Sequence, residues 1–516
     1  PTLRRSQPRR IIPKSRRQRT AAAEPAAPQH RVNDPFPSLS NIPPEPWKWP
    51  AAELARAIRR KRISPVEATT AILERMAALQ PRLNCFITVC ADQALEQARA
   101  AEAALMHGDP LGALHGVPFS AKDIVNTEGV ATTFGALPLR HNIPDRDAVS
   151  VARLRRAGAI LIGKTTTPEF GSKGFTDAPL FGTTPNAWSP RHTCGGSSGG
   201  AAVAVACGMA PLAIATDGGG STRIPAACNG VVGIKQTLGV VPHSQAQDLF
   251  GNQTYVTPTT RTVMDTALML NAMAGPHPCD PWSLGRASVD YVQAVRAARD
   301  LRDKRFRYNL APQGRRVSAQ VEQIFRQALG HIASLGASVE AFEAQLDIEP
   351  VWRTVNHTVW RARFAPLVAQ HGDALSATFR RQIDSAHDYS ALDYQNAMFA
   401  RSRLFHAVQD WLDGADFLVM PTLTRTALPL GTDIFDAMEI DGVQLDDIRA
   451  NWYPWTMPFN MTGHPAISLP CGFDSAGLPI AIQLVGRCGE DLRLLRVAAA
   501  FERAMPWSDR RPEPPG

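Results

Sequence analysis

The sequence predicts an α/β protein in which a mixed β-sheet core is covered by helices on both faces. Helical segments alternate with short apolar runs along most of the chain, which is the pattern of such a sheet. The composition, 44% hydrophobic and 20% charged, is ordinary for a globular protein. No internal repeat and no low-complexity linker follows residue 50. A single domain over 46–510 therefore accounts for the 516 residues better than several smaller domains do.

The predicted elements begin at residue 51. Residues 51–61 carry a helical repeat, and Ser64-Pro65-Val66-Glu67 combines a capping box with proline at the first helical position, so a second helix begins there. The further predictions for the first half are a strand over 85–90, a helix over 91–106, a strand over 116–121, a helix over 149–157, a strand over 160–163, a helix over 199–207 and a strand over 212–216.

The second half contains longer helical stretches. Residues 317–335 and 390–414 have helical patterns and interrupt the segments that resemble core. We therefore expect a mainly helical insert around 285–415 that forms a cap and shapes a pocket. The chain then returns to core elements, which are strands over 466–470 and 480–485 and a final helix over 491–504.

The positive charge of the chain is concentrated at its N-terminus. The formal net charge is +8, and residues 1–35 hold nine Lys or Arg against two acidic residues. The body is therefore nearly neutral, which argues against a broad nucleic-acid surface. Two interpretations of this N-terminal segment, taken as 1–45, are open. It is a basic arm that binds nucleic acid or anionic lipid or directs targeting, or it is a disordered tail or a mis-assigned start of translation. It lacks the apolar stretch of a secretory signal, and its Pro-, Ala- and Gln-rich composition favours disorder.

Cysteine and histidine usage indicates neither a disulfide framework nor a metal site. Eight cysteines are scattered without a C-x-x-C pair, which predicts reduced, mostly buried thiols and a cytoplasmic protein. The thirteen histidines form no zinc-binding motif, so we expect no metal and no other cofactor. Residues 194–216 carry no charge, but their glycines, alanines and valines are better explained by a buried helix and strand than by a membrane span.

Two serines in glycine-rich segments point to chemistry. Ser197 lies in Cys194-Gly195-Gly196-Ser197-Ser198-Gly199-Gly200, and Ser221 follows three glycines. Glycine permits sharp turns and lets a substrate approach main-chain N–H groups. A serine in such a turn can attack a carbonyl while neighbouring amides hold the oxyanion. It needs a base, and Lys122, at the end of a predicted strand, is the candidate.

Together with Lys122, these segments resemble the amidase signature family of serine hydrolases. Further matching segments are Arg223-Ile224-Pro225, Pro168-Glu169-Phe170-Gly171 and 463–470. The resemblance extends from about residue 50 to 505 and implies the amidase signature fold. It also implies hydrolysis of a linear carboxamide through a serine-linked acyl-enzyme.

The resemblance assigns a role to each member of a Ser–cis-Ser–Lys triad. Ser221 is the nucleophile, Lys122 is the base, and Ser197 relays the proton between them and then donates to the leaving nitrogen. A cis peptide bond between Gly196 and Ser197 is also implied. To be neutral near pH 7, Lys122 needs a pKa roughly three units below the usual value of about 10.4, a shift worth about 4 kcal/mol. Burial can supply such a shift.

The glycine loop around Ser221 is expected to form the oxyanion hole. The predicted donors are the N–H groups of Gly218, Gly219, Gly220 and Ser221. The predicted supporting residues are Ser198, Thr216, Asp217 and Arg223.

One competing motif lies in the same segment. Gly196-Ser197-Ser198-Gly199-Gly200 satisfies G-x-S-x-G, the nucleophile elbow of α/β-hydrolases, with Ser198 as the nucleophile. That fold also needs an acid and a histidine downstream, which the sequence neither singles out nor excludes. Each serine alone is also compatible with an incidental position in a glycine-rich turn. The combination of two serines, a lysine and the flanking motifs favours the triad.

The substrate is less constrained by the sequence. Family members hydrolyse small aliphatic, aryl, fatty acyl or peptide amides, and some act on carbamates or esters. Trp452, Tyr453 and Trp455 either line a pocket for a hydrophobic small-molecule amide or are plain packing. The glutamyl-tRNA amidotransferase A subunit shares the fold and triad, but no counterpart of its glutamine-binding arginine segment stands out over 350–430. We therefore expect a stand-alone hydrolase without a nucleic-acid partner, and leave a homodimer open.

Overall fold

The core of the protein is one mixed β-sheet of eleven strands. The computed structural model describes residues 44–513, so the predicted basic segment 1–45 lies almost entirely outside the described residues. The eleven strands of this sheet are β1 Phe86–Val89, β2 Pro118–Lys122, β3 Ile160–Thr165, β6 Leu212–Asp217, β7 Val232–Lys235, β8 Tyr255–Thr260, β9 Arg305–Tyr308, β10 Ser338–Ala341, β11 Phe417–Pro421, β14 Ala466–Phe473 and β15 Pro479–Val485. Two further two-stranded sheets are formed by β4 Asp177–Ala178 with β5 Gly182–Thr183 and by β12 Met438–Ile440 with β13 Val443–Leu445. The α-helices are α1 Ala51–Arg59, α2 Pro65–Leu83, α3 Ala91–His107, α4 Val149–Arg156, α5 Gly199–Ala206, α6 Arg223–Asn229, α7 Val263–Met273, α8 Tyr291–Arg296, α9 Ala319–Ser334, α10 Glu349–His371, α11 Ala377–Asp384, α12 Ala391–Leu412, α13 Ile448–Trp452, α14 Met457–Thr462 and α15 Asp491–Ala504.

The strand order across the sheet is β1-β3-β2-β6-β8-β7-β14-β15-β11-β9-β10. Strand β2 lies between β3 and β6 and runs parallel to both. Strand β9 is parallel to β10 and β11, and the remaining neighbours are antiparallel. The prediction of a mixed sheet is thus confirmed.

Both faces of the sheet are covered. Every residue of β3, β6, β8 and β15 is buried, and successive side chains of a strand point to opposite faces. On β11, Phe417 and Val419 belong to one apolar cluster, whereas Leu418 and Met420 belong to a second. Helices α9 and α15 contribute to the first cluster, and α10 and α12 contribute to the second. The predicted arrangement of helices on both faces is confirmed.

The predicted elements of the first half and of the C-terminus are present within a few residues of their expected bounds. The capping box at α2 is formed, because the Glu67 N–H donates to Ser64 Oγ (3.0 Å) and the Ser64 N–H donates to Glu67 Oε2 (2.7 Å). Strand β8 was not predicted. It contains Pro258, and a proline inside a run argues against a central strand. The proline is tolerated because β7 pairs with β8 only at Thr259 and Thr260.

The helical insert expected around 285–415 is narrower in the structure. Strands β9 and β10 join the edge of the main sheet, and Phe306 of β9 is fully buried against Phe417, with ring centroids 5.4 Å apart. Helix α9 packs on β14, β15 and β11, so it belongs to the core as well. The mainly helical segment is α10–α12, and we call this the cap. Within the described residues, 44–513 form one compact unit.

Three further observations concern residues 44–513. None of the helices there is long and apolar enough to cross a membrane. No group of His, Cys, Asp or Glu in this part of the chain could hold a metal ion. All eight cysteines are free thiols.

Candidate active site

The predicted triad residues meet at the carboxyl ends of two adjacent parallel strands. Lys122 is the last residue of β2, and Asp217 is the last residue of β6. Ser197 and Ser198 directly precede α5, and Ser221 lies in the turn between β6 and α6. In open α/β sheets, ligand sites form at this edge because the loops after neighbouring strands converge there.

The amine of Lys122 is surrounded by three hydroxyl groups. Its Nζ lies 2.7 Å from Ser197 Oγ, 2.9 Å from Ser198 Oγ and 3.0 Å from Thr216 Oγ1. The side chain is fully buried. Burial lowers the pKa of Lys122 well below its usual range and outweighs the negative charge of Asp217, which acts in the opposite direction. The structure therefore favours a neutral amine, which carries a lone pair.

The hydrogen bonds around this amine distinguish Ser197 from Ser198. The Ser198 hydroxyl donates to the Thr216 carbonyl oxygen at 3.1 Å, so it can only accept from Lys122. A neutral amine has two N–H donors and one lone pair for three hydroxyl contacts, and the Ser197 contact is the shortest of the three. The Ser197 hydroxyl is thus well placed to donate to the lone pair, whereas Ser198 is not.

The Ser197 hydroxyl lies in a space that a glycine opens. The Gly196–Ser197 peptide bond is cis, as the family resemblance implies. A Cβ atom on Gly171 would lie 3.1 Å from Ser197 Oγ and 3.4 Å from Ile124 Cδ1, and Gly171 has φ +71°. Glycine at 171 therefore leaves room for the Ser197 hydroxyl.

Ser221 is the only one of the three serines with partial exposure. Its hydroxyl makes no hydrogen bond within the described residues, and its carbonyl oxygen accepts from the Ser198 N–H at 3.1 Å. A nucleophile elbow places its serine, exposed, in a strand–turn–helix. Here that position is held by Ser221, between β6 and α6, whereas Ser198 is fully buried with its hydroxyl engaged. The geometry therefore argues against the competing motif.

The Asp217 carboxylate orders the loop that carries Ser221. It accepts from the N–H groups of Gly220 (2.8 Å) and Thr222 (3.2 Å) and from the Arg223 side chain, at 3.0 Å from Nε and 2.9 Å from Nη2. Asn460 Nδ2 donates to it at 2.9 Å. Burial raises the pKa of Asp217, but Arg223 and Asn460 outweigh burial and bring it down to about 2. Asp217 is therefore a buried anion at neutral pH.

The carbonyl groups of the loop are held as well. Their donors are Asn460 Nδ2 for Asp217 (2.9 Å), Trp352 Nε1 for Gly218 (3.0 Å), Thr456 Oγ1 for Gly219 (2.6 Å), Ile224 N for Gly220 (2.7 Å) and Ser198 N for Ser221 (3.1 Å). Within the described residues, the N–H groups of Gly218, Gly219 and Ser221 have no acceptor. The expected oxyanion hole needs one correction, because the Gly220 N–H already donates to Asp217.

The aromatic residues expected in a pocket lie mostly in the core. Trp452 and Trp455 are 0% and 1% exposed, and Tyr453 is buried beside them in the second apolar cluster. Trp452 stacks on Phe175, with ring centroids 5.6 Å apart, and donates to a backbone carbonyl. The packing interpretation therefore fits these side chains better than pocket lining does.

Sequence reasoning missed a different tryptophan. Trp352, on cap helix α10, contacts the glycine loop although it lies 134 residues from Gly218 in the chain. The helical pattern around it indicates a helix but not which tertiary neighbour that helix meets. No local signal could have identified this contact.

Residues 67–495 match the amidase family model. The chain belongs to the amidase family. It is 36% identical over 471 residues to the acylamidase of Rhodococcus erythropolis, covering 90% of this chain and 96% of that protein. It is 34% identical to the A subunit of the glutamyl-tRNA(Gln) amidotransferase of Thermosynechococcus vestitus, covering 89% and 99%. The crystal structure of a bacterial aryl acylamidase of the amidase signature family superposes with a TM-score of 0.83 at 30% identity, covering 90% and 98%. The protein is an amide-hydrolysing enzyme with the amidase signature fold.

The Asp217–Arg223 pair yields a stability prediction. Asp217→Asn should destabilise the protein by about 3–5 kcal/mol, because it leaves the buried Arg223 guanidinium without its counter-charge. The melting temperature should fall accordingly. Because the folded-state pKa of Asp217 is about 2 and the unfolded value about 3.9, the stabilisation is complete above about pH 4. The difference between wild type and variant should therefore shrink as the pH falls from 4 towards 2.

The matched control is an exposed carboxylate of the same type. Asp300 pairs with Arg302 at the surface, and Asp300→Asn should leave the melting temperature unchanged. Equal melting temperatures for Asp217→Asn and wild type would show that the buried pair does not hold the loop.

Proposed function

We propose that the protein is a stand-alone acylamidase for neutral aryl or acyl amides. In this proposal Ser221 is the nucleophile, Lys122 is the base and Ser197 is the bridging proton carrier. The observation that carries the proposal is the buried Lys122 amine, which has a lowered pKa and lies among the hydroxyl groups of Ser197, Ser198 and Thr216. The partly exposed Ser221 is joined to this group through its carbonyl oxygen, which accepts from the Ser198 N–H at 3.1 Å. Carbamates and esters with similar acyl groups react by the same steps.

The acylation step moves one proton through Ser197. Ser221 Oγ attacks the amide carbonyl carbon and gives its proton to Ser197 Oγ, while Ser197 gives its own proton to the lone pair of Lys122. The carbonyl oxygen becomes an oxyanion and accepts from the free N–H groups of Gly218, Gly219 and Ser221. Lys122 then returns the proton through Ser197 to the substrate nitrogen. The C–N bond breaks, the amine leaves and the acyl group stays on Ser221.

Deacylation repeats these transfers with water. A water molecule attacks the ester carbon and gives a proton through Ser197 to Lys122. The proton returns to Ser221 Oγ as the C–O bond breaks and the carboxylic acid leaves. Lys122 and the two serines end in their starting protonation states, so the cycle needs no cofactor.

Uncharged side chains around the site support a neutral substrate. Ile124 lies near Ser197, Thr254 lies beside Gly218, and the Trp352 indole lies against Gly219. The charged groups of the site are engaged elsewhere, since Asp217 pairs with Arg223 in the core. An apolar acyl or aryl group suits such surroundings. The relatives named acylamidase and aryl acylamidase support the same class of substrate.

A second candidate function is glutaminase activity within a multi-subunit amidotransferase. It is favoured by the 34% identity to an amidotransferase A subunit over nearly its full length. The near-neutral charge of the chain after residue 35 disfavours it, because a polyanion such as tRNA is attracted mainly by basic surface.

The homodimer left open by the sequence stays a prediction.

The nucleophile can be identified by covalent labelling. A fluorophosphonate probe should modify Ser221, as peptide mapping would show, because this residue is partly exposed whereas Ser197 and Ser198 are buried. Ser221→Ala should abolish labelling and amide hydrolysis. Ser198→Ala should still be labelled at Ser221, which makes it the matched control. Modification of Ser198 in the wild type would instead support the nucleophile elbow.

The role of Lys122 predicts the pH dependence of the rate. Because the base acts in its neutral form, kcat/KM should be level at neutral and alkaline pH and fall as acid protonates Lys122. Lys122→Ala should lower kcat by about 10²–10⁴-fold and remove this acid limb. Lys164→Met is the control, because Lys164 is equally buried but bonds to Val125, Thr127 and Thr132. The Lys164→Met variant should have a lower free energy of unfolding, but its kcat/KM should still fall at acid pH as in wild type. An unchanged acid limb in Lys122→Ala would rule out the assignment.

The substrate class is tested with purified protein and no partners. Hydrolysis of p-nitroacetanilide and longer acyl anilides should proceed, with KM falling as the acyl chain grows. Glutamine should be a poor substrate with or without tRNA and amidotransferase partner subunits. Glutaminase activity that appears only with those partners, together with no anilide turnover, would favour the second candidate.

A further inference from the structure

One side chain of the cap reaches the backbone of the glycine loop. The indole Nε1 of Trp352, on α10, donates to the Gly218 carbonyl oxygen at 3.0 Å. Trp352 is 7% exposed and belongs to the second apolar cluster. The other carbonyl donors in this loop come from α14, its flanking residue Thr456, α6 and Ser198. Trp352 is thus the contribution of the cap to the hydrogen bonding of this loop.

This contact determines the direction of one potential oxyanion donor. In a trans peptide the C=O and N–H groups point to opposite sides. Fixing the Gly218 carbonyl on the Trp352 side therefore directs the Gly219 N–H away from Trp352. The next peptide shows the same relation, since the Gly219 carbonyl faces Thr456 while the Gly220 N–H faces Asp217. The Gly219 N–H, by contrast, has no acceptor within residues 44–513.

The indole also packs directly on the loop. A Cβ atom on Gly219 would lie 2.9 Å from both Cζ2 and Nε1 of Trp352, closer than real contacts allow. Glycine at 219 is therefore required for the indole to approach the backbone. Two adjacent residues, Gly218 and Gly219, are held by one side chain, through a hydrogen bond and through contact.

Trp352 is itself fixed by the cap and by α13. Trp360 packs edge-on against its ring, with centroids 5.9 Å apart, and the guanidinium of Arg449 lies 5.7 Å from the ring centroid. Helix α10 packs along α11 and α12. The position of the indole, and with it the Gly218–Gly219 peptide, is therefore set by elements outside the loop.

We propose that Trp352 is a positioning residue that aims the Gly219 N–H at the oxyanion of the transition state. The inference rests on the proposed function, in which this loop binds the oxyanion. Trp352 does not touch the reacting atoms in this role. It lowers the barrier by removing the freedom of a glycine-rich backbone before the reaction begins. A tryptophan that only formed a pocket wall would change substrate binding and leave kcat unchanged.

The test removes the indole N–H and keeps an aromatic ring at position 352. Trp352→Phe, and replacement of Trp352 by benzothienylalanine, in which sulfur takes the place of the N–H, are compared with wild type. Both variants should lower kcat for p-nitroacetanilide by about ten- to a hundredfold, a smaller effect than removal of a whole oxyanion donor would have. Their KM should stay within about threefold of the wild-type value. The affinity for phenylboronic acid, which forms a tetrahedral serine adduct, should fall by a similar factor.

The matched control is another tryptophan of the cap. Trp411 of α12 packs against Phe342 and Trp455, with ring centroids 5.5 and 5.9 Å apart. Within the described residues Trp411→Phe removes no ring contact or hydrogen bond to Trp352 or the glycine loop, so kcat and boronic acid affinity should stay near wild type. A raised KM with unchanged kcat in the Trp352 variants would overturn the proposal, and so would equal losses in Trp411→Phe. If wild type binds phenylboronic acid but turns over no anilide, the substrate assignment fails, and the boronic acid series still decides the role of Trp352.

Discussion

The buried ion pair of Asp217 and Arg223 is the constraint on which the rest of the site depends. Three consecutive glycines make the loop before Ser221 conformationally free, and this freedom has to be removed for the serine to have one position. The carboxylate ties backbone N–H groups of the loop, and the guanidinium extends the network to Gln483 of β15 (2.7 Å) and Asn460 of α14 (2.5 Å). The loop is thereby attached to the sheet and to a helix. A buried pair is stabilising only when its hydrogen bonds are satisfied in this way.

Burial by itself does not make a lysine a base in this protein. Lys164 and Lys235 are also fully buried, and burial lowers their pKa values to about 8 and about 7. Lys164 donates to a carbonyl and two threonines, and Lys235 donates to the Gln236 carbonyl and lies 4.0 Å from the Tyr255 ring centroid. Only the Lys122 amine, among these three, has a serine hydroxyl that can donate to its lone pair. The partners of the amine, rather than its depth, distinguish the proposed base.

The sequence predicted what depends on local pattern and missed what depends on tertiary contact. The glycine–serine segments and the strand that ends at Lys122 were predictable because each encodes its own local structure, and the resemblance to the amidase signature family implied that they meet in one site. The capping box at Ser64 was predictable for the same reason. The engagement of the Gly220 N–H and the approach of Trp352 were not, because both follow from how the loop and the cap pack. Strand β9 escaped prediction because four residues carry too short a pattern to separate it from a helical insert.

The contact between cap and loop has a consequence for how one catalytic site serves different substrates. This chain resembles both an acylamidase and a component of an amidotransferase over almost its whole length, so the shared fold cannot by itself select the substrate. The loop of Ser221 is held on one side by the sheet, through Asp217 and Arg223, and on the other side by the cap, through Trp352. A substitution in α10 that displaces the Trp352 indole therefore also frees the Gly218–Gly219 peptide. Under the role proposed for Trp352, cap substitutions that displace this indole change the rate through the loop, whereas cap substitutions that leave the indole in place do not.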